Sequence, residues 1–311
     1  MRFHTNRVAI LLATFNGVAY LSRQLDSLLA QSSTDWELFA HDDGSRDGTA
    51  EILQAYAAAE PRRIHLVNGT PRGSAKSNFL FLMEQIDAPY FMFCDQDDVW
   101  SEEKLACSLA AMNELEAEHG KDVPLLVFTD AAVTDRELNV IGESFFAYQH
   151  LKPGHLRFSE LLVQNVVPGN TLLGNGSLLR LARQYSDESA IVMHDGWCAL
   201  VAAYFGKLAV VEKSTLLYRQ HGENVLGAVK ASGLSYVFSM IKKRNTVRQA
   251  ILASRVQAGE FAKAFSLGAA SLPARFAAVG ERSKLQRLRF YKKHGIRKSG
   301  LLRNLGFAFF G

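Results

Sequence analysis

Val8-Ala9-Ile10-Leu11-Leu12-Ala13 is an unbroken apolar run that stops at Thr14-Phe15-Asn16-Gly17. A half-exposed strand would alternate apolar and polar residues. A run without alternation reads as a strand buried on both faces, the habit of parallel sheets. Working outward, Leu21, Leu25, Leu28 and Leu29 recur at helical spacing over residues 20–29. The unit then repeats. Residues 36–40 form a second apolar run ending in His41-Asp42-Asp43-Gly44-Ser45, and Asp47 is placed to cap a helix through Ala58. Residues 64–67 read as a third strand, followed by a polar segment over 68–77 and an apolar helix over 79–86. Residues 89–94 read as a fourth strand, ending in Asp95-Gln96-Asp97-Asp98. Ser101 is placed to cap a helix running to His119, with Glu102 and Glu103 in its first turn, and residues 124–129 follow as a fifth strand.

Strand and helix alternating at this spacing predict right-handed βαβ units and a mostly parallel sheet flanked by helices. Ligands in such sheets bind outside the carboxyl ends of the strands. Each of the first four strands ends there in a polar cluster, so the four clusters should converge. Beyond residue 130 the alternation fades. Residues 140–165 read as an irregular insertion with short helices, and 166–173 (VVPGNTLL) as a strand interrupted by Pro168-Gly169. A helix is expected over 191–203, two short strands over 208–211 and 214–218, and helices from 232 on, broken by Gly268, Pro273 and Gly280.

The net charge of +4 conceals an asymmetry. Residues 230–311 hold 17 Lys/Arg against the acids Glu260 and Glu281, a balance of +15, which leaves −11 on residues 1–229. Two regions are therefore expected, 1–229 carrying the site and 230–311 a basic amphipathic helical extension. At 48% hydrophobic and 21% charged the chain is globular rather than disordered. Three scattered cysteines suit neither a disulfide framework nor a four-cysteine zinc site, which fits a reducing compartment. The first apolar run is too short for a signal peptide, and no stretch reaches the ~18 apolar residues of a membrane span.

The clusters differ in what chemistry they can carry. Asp95, Asp97 and Asp98 place three carboxylates in four residues, a costly arrangement without a cation; hard oxygen ligands suit Mg²⁺ or Mn²⁺, while the ordinary alternative is a solvated acidic loop. Asp42 and Asp43 can accept hydrogen bonds from a base or ribose, or simply form a helix-entry turn. Residues 68–78 (NGTPRGSAKSN) offer glycine, two cations and amides ahead of a helix, as a phosphate- or ribose-approaching loop would, yet match neither a Walker A nor a GxGxxG pattern. Asp195, in Met193-His194-Asp195-Gly196-Trp197, is an isolated acid beside aromatics, suited to be a general base or a helix cap. His221, in Tyr218-Arg219-Gln220-His221, can complete a metal shell, touch a diphosphate, or be structural.

Together, in order, these segments resemble the family-2 glycosyltransferases of GT-A fold over roughly residues 7–225, most closely the bacterial branch that includes rhamnosyltransferases of surface polysaccharide assembly. The resemblance implies roles for particular residues. Phe15, where the family usually has Tyr, would stack on the base, with Thr14 and Asn16 beside it. Asp43 would accept from the pyrimidine, and Arg72, Gly73 and Asn78 would line the nucleotide. Asp95 and Gln96 would approach the ribose or a metal-bound water. Asp97 would bind the divalent ion (Mn²⁺ or Mg²⁺), with His221 reaching the metal or the diphosphate. Gly169 and Asn170 border donor and acceptor. Asp195 matches the catalytic base, with His194 and Arg219 at the sugar nucleotide. The implied reaction is inverting transfer of a sugar, rhamnose from dTDP-rhamnose or a sugar from a UDP donor, to a hydroxyl of a lipid-linked or glycan acceptor. Nucleotidyl transfer and a non-catalytic nucleotide-sugar-binding scaffold are the competing classes.

The basic region mixes Lys284–Lys293 cations with Leu285, Leu288, Phe290 and Tyr291, and the end of the chain is apolar. Such helices favour an anionic membrane surface, here the inner face of the cytoplasmic membrane; a homodimer contact is the alternative. No base-reading motif accompanies the charge, so nucleic acid is not an expected partner.

Overall fold

The computed structural model describes residues 2–154, 156–221 and 244–311. Its elements are, in order, β1 (Phe3–His4), β2 (Val8–Thr14), α1 (Leu21–Leu29), β3 (Trp36–Asp42), α2 (Thr49–Ala59), β4 (Ile64–Leu66), α3 (Ala75–Gln85), β5 (Ile86–Asp87), β6 (Tyr90–Asp95), β7 (Val99–Trp100), α4 (Lys104–His119) and β8 (Leu125–Thr134). There follow β9 (Val140–Gly142), α5 (Phe145–Tyr148), α6 (Phe158–Leu161), β10 (Leu172–Asn175), α7 (Gly176–Ala182), α8 (His194–Phe205) and β11 (Lys207–Arg219). The chain closes with α9 (Arg244–Ala264), α10 (Leu272–Ala277), α11 (Lys284–His294) and α12 (Leu301–Phe310).

Among the described residues the main sheet runs β4-β3-β2-β6-β10-β8-β11-β7, with β9 paired to β8. β4, β3, β2 and β6 are parallel, as the unalternated apolar runs require. Past β6 the sheet is mixed, because β10 runs antiparallel to both of its neighbours. On β2, Val8, Ile10 and Leu12 pack on one face with Leu21, Leu25 and Leu53, while Ala9 and Leu11 face Phe79–Met83 on the other. Register then sets the site. Ala13 lies opposite His41 on one side and Asp95 on the other, so three polar strand ends stand side by side.

Several boundaries differ from expectation. Asp47 is not the N-cap of α2; Gly48 is, and Asp47 instead accepts from the backbone of Val18 and Thr49. The helix after the acidic loop starts at Lys104, behind Glu103, so Glu102 and Glu103 stay outside its first turn. Residues 169–171 form a 3₁₀ turn, and only Leu172–Asn175 is strand. The two short strands expected over 208–218 are one strand, β11, with irregular register around Ser214. Pro273 starts α10 rather than breaking a helix.

The basic C-terminal helices share the core of the sheet's one face. Phe261 is fully buried, with its ring 5.5 Å from Trp197, 5.4 Å from Tyr204 and 5.2 Å from Phe158. The division expected at 229/230 lies outside the described residues. Among the described residues no helix is long and apolar enough to cross a membrane.

Candidate active site

A cleft of about 980 Å³ opens at the carboxyl ends of β2, β3 and β6. Its lining joins Thr14, Phe15 and Asn16 to Asp43, Gly73, Asn78, Asp95, Gln96, Asp97, Gly169, Asn170, His194, Asp195 and His221. Segments separated by up to two hundred residues thus meet, as the strand-end argument anticipated.

At the nucleotide end, the turn after β2 is held from several sides. Asn16 adopts a left-handed φ of 48°, a conformation asparagine tolerates. Its N–H donates to Ser45 Oγ at 2.8 Å and its Oδ1 accepts from Arg46 N–H at 3.0 Å. Thr14 Oγ1 donates to Asp42 at 2.8 Å. Gln96 pairs its amide with the Phe15 backbone in both directions, each at 2.9 Å, so its part is to pin this turn. The Phe15 ring is left 54% exposed at the cleft. Asp43 accepts from the N–H groups of Arg72 and Gly73. Gly73 serves there with φ of 77°, which a side chain would resist. Asn78 is buried with its amide engaged by His41, donating to its carbonyl at 3.1 Å and meeting Nδ1 at 2.9 Å.

Two of the expected nucleotide contacts stand away from the lining. Arg72 lays its guanidinium on Phe81, 3.8 Å from the ring centre. Arg219 is buried and donates to the carbonyls of Asp97, at 2.8 Å, and Arg136. Both shape loops that the lining residues sit on.

The acidic corner divides by role. Asp98 is fully buried, accepting from Asn170 Nδ2 at 2.5 Å and from Arg219 N–H at 3.2 Å, which ties the 170 turn to the end of β11. Burial and the Asp97 and Asp95 charges hold its carboxyl well above the usual range. Buried Lys104 lies near it; burial pulls the ammonium down to about 7, opposed by Asp98. Asp95 is pushed up to about 8 by burial and by the charges of Asp97 and Asp195. Asp97 Oδ2 meets His221 Nε2 at 2.7 Å, and the imidazole stacks on Tyr20 at 4.7 Å.

This corner fits a divalent ion. The negative charge on Asp95, Asp97 and Asp195 is crowded enough to raise Asp95, and a cation would relieve it. Among the described residues no three His, Cys, Asp or Glu side chains enclose a metal by themselves. A divalent ion here would take the rest of its shell from water and substrate oxygens, as Mg²⁺ and Mn²⁺ can.

Asp195 sits in the first turn of α8, where Met193 is the N-cap. Its carboxyl is pushed up to about 6 by burial, against hydrogen bonds from the backbone N–H groups of Gly196 and Gly169 and from the Asn165 side chain. Gly169 must approach closely: a Cβ there would stand 3.0 Å from His194 Nε2 and 3.4 Å from Asp195 Cβ. His194 is buried between Phe79 and Phe93, at 4.3 and 4.4 Å, and burial lowers it to about 3, so the ring is neutral. An ionisable acid held near neutrality in a recessed cleft is suited to accept a proton from an alcohol.

Tyr20 and Asn165 do structural work at the site that the sequence motifs did not include, and Asp98, grouped with Asp95 and Asp97 from its position, turns inward to Asn170 and Arg219 instead of lining the cleft. Asn165 lies just ahead of Pro168-Gly169, and Tyr20 one turn past Asn16. Adjacency to motifs already singled out is the signal that would have found them. The far wall of the cleft, including Leu161–Val167, Ser254, Gln257 and Arg303, comes from the insertion and the C-terminal helices.

Comparison with known proteins agrees with this arrangement. Residues 9–138 match the model of glycosyl transferase family 2. The chain is 25% identical over 224 residues to the dTDP-rhamnosyl transferase RfbG of Shigella flexneri, covering 70% of this chain and 74% of that protein. It is 34% identical over 107 residues to TuaG of Bacillus subtilis (strain 168), a glycosyltransferase named for teichuronic acid biosynthesis, covering 34% of this chain and 42% of the relative. Among solved structures, residues 1–349 of S. aureus TarS with UDP superpose with a TM-score of 0.52 at 16% identity, over 97% of this chain and 90% of that one. The structural likeness shows the shared GT-A fold.

Proposed function

We propose, on the premise that this chain is a glycosyltransferase with a family 2 domain over residues 9–138, that it moves a sugar from a nucleoside-diphosphate donor to an acceptor hydroxyl in surface glycan assembly. The observation that carries the reading is the convergence of Asp43, Asp97 and Asp195 on one cleft. RfbG's name favours dTDP-rhamnose as donor, with a UDP-sugar the next choice. The acceptor is a lipid-linked or growing glycan, and the working place is the inner face of the cytoplasmic membrane.

The chain's residues divide the labour. Phe15 stacks on the base, and Asp43 accepts from it with a lone pair left over from the Arg72 and Gly73 N–H groups. Asp97 and His221 would hold Mn²⁺ or Mg²⁺ beside the donor's diphosphate. Such an ion, when bound, offsets the negative charge developing on the leaving group. Asp195 takes the proton from the acceptor hydroxyl. That oxygen attacks the anomeric carbon on the face opposite the diphosphate, so the configuration inverts in one displacement. Gly169 and Asn165 hold the Asp195 carboxylate in place. Asp98 and Asn170 fix the turn that carries Gly169.

Neither competing class gains support. Nucleotidyl transfer usually wants a cationic glycine-rich loop after the first strand, and residues 14–17 carry no charge. A mere scaffold has no need of an acid raised toward neutrality beside the acceptor wall. The test is a thermal-shift screen of nucleoside diphosphates and nucleotide sugars with and without Mn²⁺. Stabilisation by a thymidine or uridine diphosphate sugar that grows with Mn²⁺ is the expected result. Stabilisation by nucleoside triphosphates alone, with pyrophosphate release, would replace the reading.

A further inference from the structure

The strongest feature outside the cleft lies in the C-terminal helices. Arg275, Arg282, Gln286, Arg289, Phe290 and Lys293 line a second cleft of about 510 Å³. Arg275 and Arg282 both lie over the Phe290 ring, at 5.3 and 5.6 Å. Among the described residues no carboxylate lies within 4.0 Å of any of its four cations. The field is felt next door: burial, Arg275 and Lys293 all lower His294. Four like charges lining one cleft repel one another, and an anion would relieve them. Guanidinium groups favour the oxygens of phosphate in particular.

A second observation says what presents that anion. On α12, Leu301, Leu305 and Phe309 follow one another at four-residue spacing, hence on one face, and are 75%, 57% and 68% exposed. The helix carries no acid. Its opposite side is anchored, with Phe307 buried against Tyr291 at 4.8 Å. Lys284 of α11 lies 4.4 Å over the Phe309 ring, so the cationic helix and the apolar face adjoin. Residues 272–311 hold ten Lys/Arg against the single acid Glu281. An exposed apolar ridge beside dense positive charge is complementary to an anionic bilayer, whose surface offers phosphate outside and hydrocarbon beneath.

We propose that residues 272–310 dock the protein on an anionic bilayer, the Arg275–Lys293 cleft taking a lipid phosphate headgroup while Leu301, Leu305 and Phe309 enter the interface. The inference deepens the membrane-side reading above and rests on it. It also links docking to the reaction. Arg303, on the same helix, lines the catalytic cleft and donates to the carbonyls of Gln149, at 2.7 Å, and His150, at 3.1 Å. The helix that meets the bilayer therefore also braces one wall of the catalytic cleft, where a lipid-linked acceptor would arrive.

The test is co-sedimentation of the full chain with phosphatidylcholine vesicles, with and without phosphatidylglycerol. The wild type should bind the anionic vesicles and release on added salt. Arg282→Gln with Arg289→Gln should weaken that binding about 30-fold, at the usual contribution of a basic residue near an anionic surface. Leu301→Ser with Leu305→Ser and Phe309→Ser should weaken it while leaving donor-induced thermal stabilisation intact. Binding unchanged in both variants overturns the proposal. So does stabilisation by inorganic phosphate that needs Arg282 and Arg289 in a protein that ignores vesicles, since the anion would then be soluble. A dimer in sedimentation velocity that the serine variant dissolves, without vesicle binding, overturns it as well. Vesicle binding with no response to any nucleotide sugar would instead defeat the glycosyltransferase reading and leave the docking surface standing.

Discussion

His221 and Asp97, separated by 124 residues, meet at 2.7 Å through Nε2 and Oδ2 at the end of the catalytic cleft. The pair joins the end of β11 to the loop after β6, and Tyr20 stacks behind the imidazole at 4.7 Å. Packing holds the ring against Tyr20, and on the proposed reading the Nε2 contact to Asp97 gives way when a cation enters between the two side chains. We expect Asp97→Asn to remove transfer activity. His221→Ala should lower it about 10–100-fold and raise the Mn²⁺ concentration needed for half-maximal rate, the range seen when a metal's supporting residues are lost. Titrating the rate against Mn²⁺ in the two variants checks this.

Asp195 gives a pH prediction. Burial raises its carboxyl to about 6, and the base works only when ionised. The acid limb of kcat/KM should therefore fall below about pH 6, rather than near pH 4 as for an exposed aspartate. Asp195→Asn should cost about 10²–10⁴ in rate.

The same shift predicts an opposite effect on stability. A carboxyl whose folded pKa lies above its unfolded value weakens the fold once ionised, as pH rises from the unfolded value through about 6. Asp195→Asn should then raise Tm at pH 8 and leave it unchanged near pH 3, where both forms are neutral. Paired melting curves at the two pH values read the difference directly.

Phe15 is exposed and hence dispensable for folding, while the proposed function gives it the base to stack on. Phe15→Ala should leave the unfolding free energy within about 0.5 kcal/mol of the wild type. Nucleoside diphosphate affinity should fall by about 1–3 kcal/mol, the value of an aromatic–base stack. Phe15→Tyr should preserve it. Calorimetric titration of the three proteins with one nucleotide distinguishes stacking from a passive turn residue.

Phe261 tests how the basic helices relate to the sheet. It is fully buried against Trp197 of α8. Phe261→Ala should cost about 3–5 kcal/mol. If α9 to α12 and the sheet are one cooperative unit, the variant will show a single transition at lower denaturant with unchanged m-value. A separate early transition would mark the C-terminal helices as independent.

Much of this was legible in the amino-acid order because parallel strands are buried on both faces. Val8-Ala9-Ile10-Leu11-Leu12-Ala13 announces such a strand, and the polar residues that follow mark its carboxyl end. That logic puts Asp43, Asp95, Asp97 and the turn at Thr14 at one sheet edge, where they line one cleft. It fails where chemistry is non-local. Exposed Glu212 and Lys213 break the apolar run of β11, so one strand reads as two. The direction of β10 depends on its neighbours, and Leu172–Asn175 carries no trace of it. Gln96 and Asn78 line the cleft, but their amides also engage Phe15 and His41, partners 81 and 37 residues away that no local pattern reveals. Adjacency to the Asn16 and Pro168-Gly169 turns marks Tyr20 and Asn165, but not their distant partners His221 and Asp195.

The most direct measurement is anomalous diffraction from crystals grown with Mn²⁺ and a thymidine or uridine diphosphate. A manganese peak is expected beside the Asp97 carboxylate and His221, close to the nucleotide's phosphates, with the base against Phe15. A nucleotide seated in another cavity, or a manganese ion remote from Asp97, would contradict it.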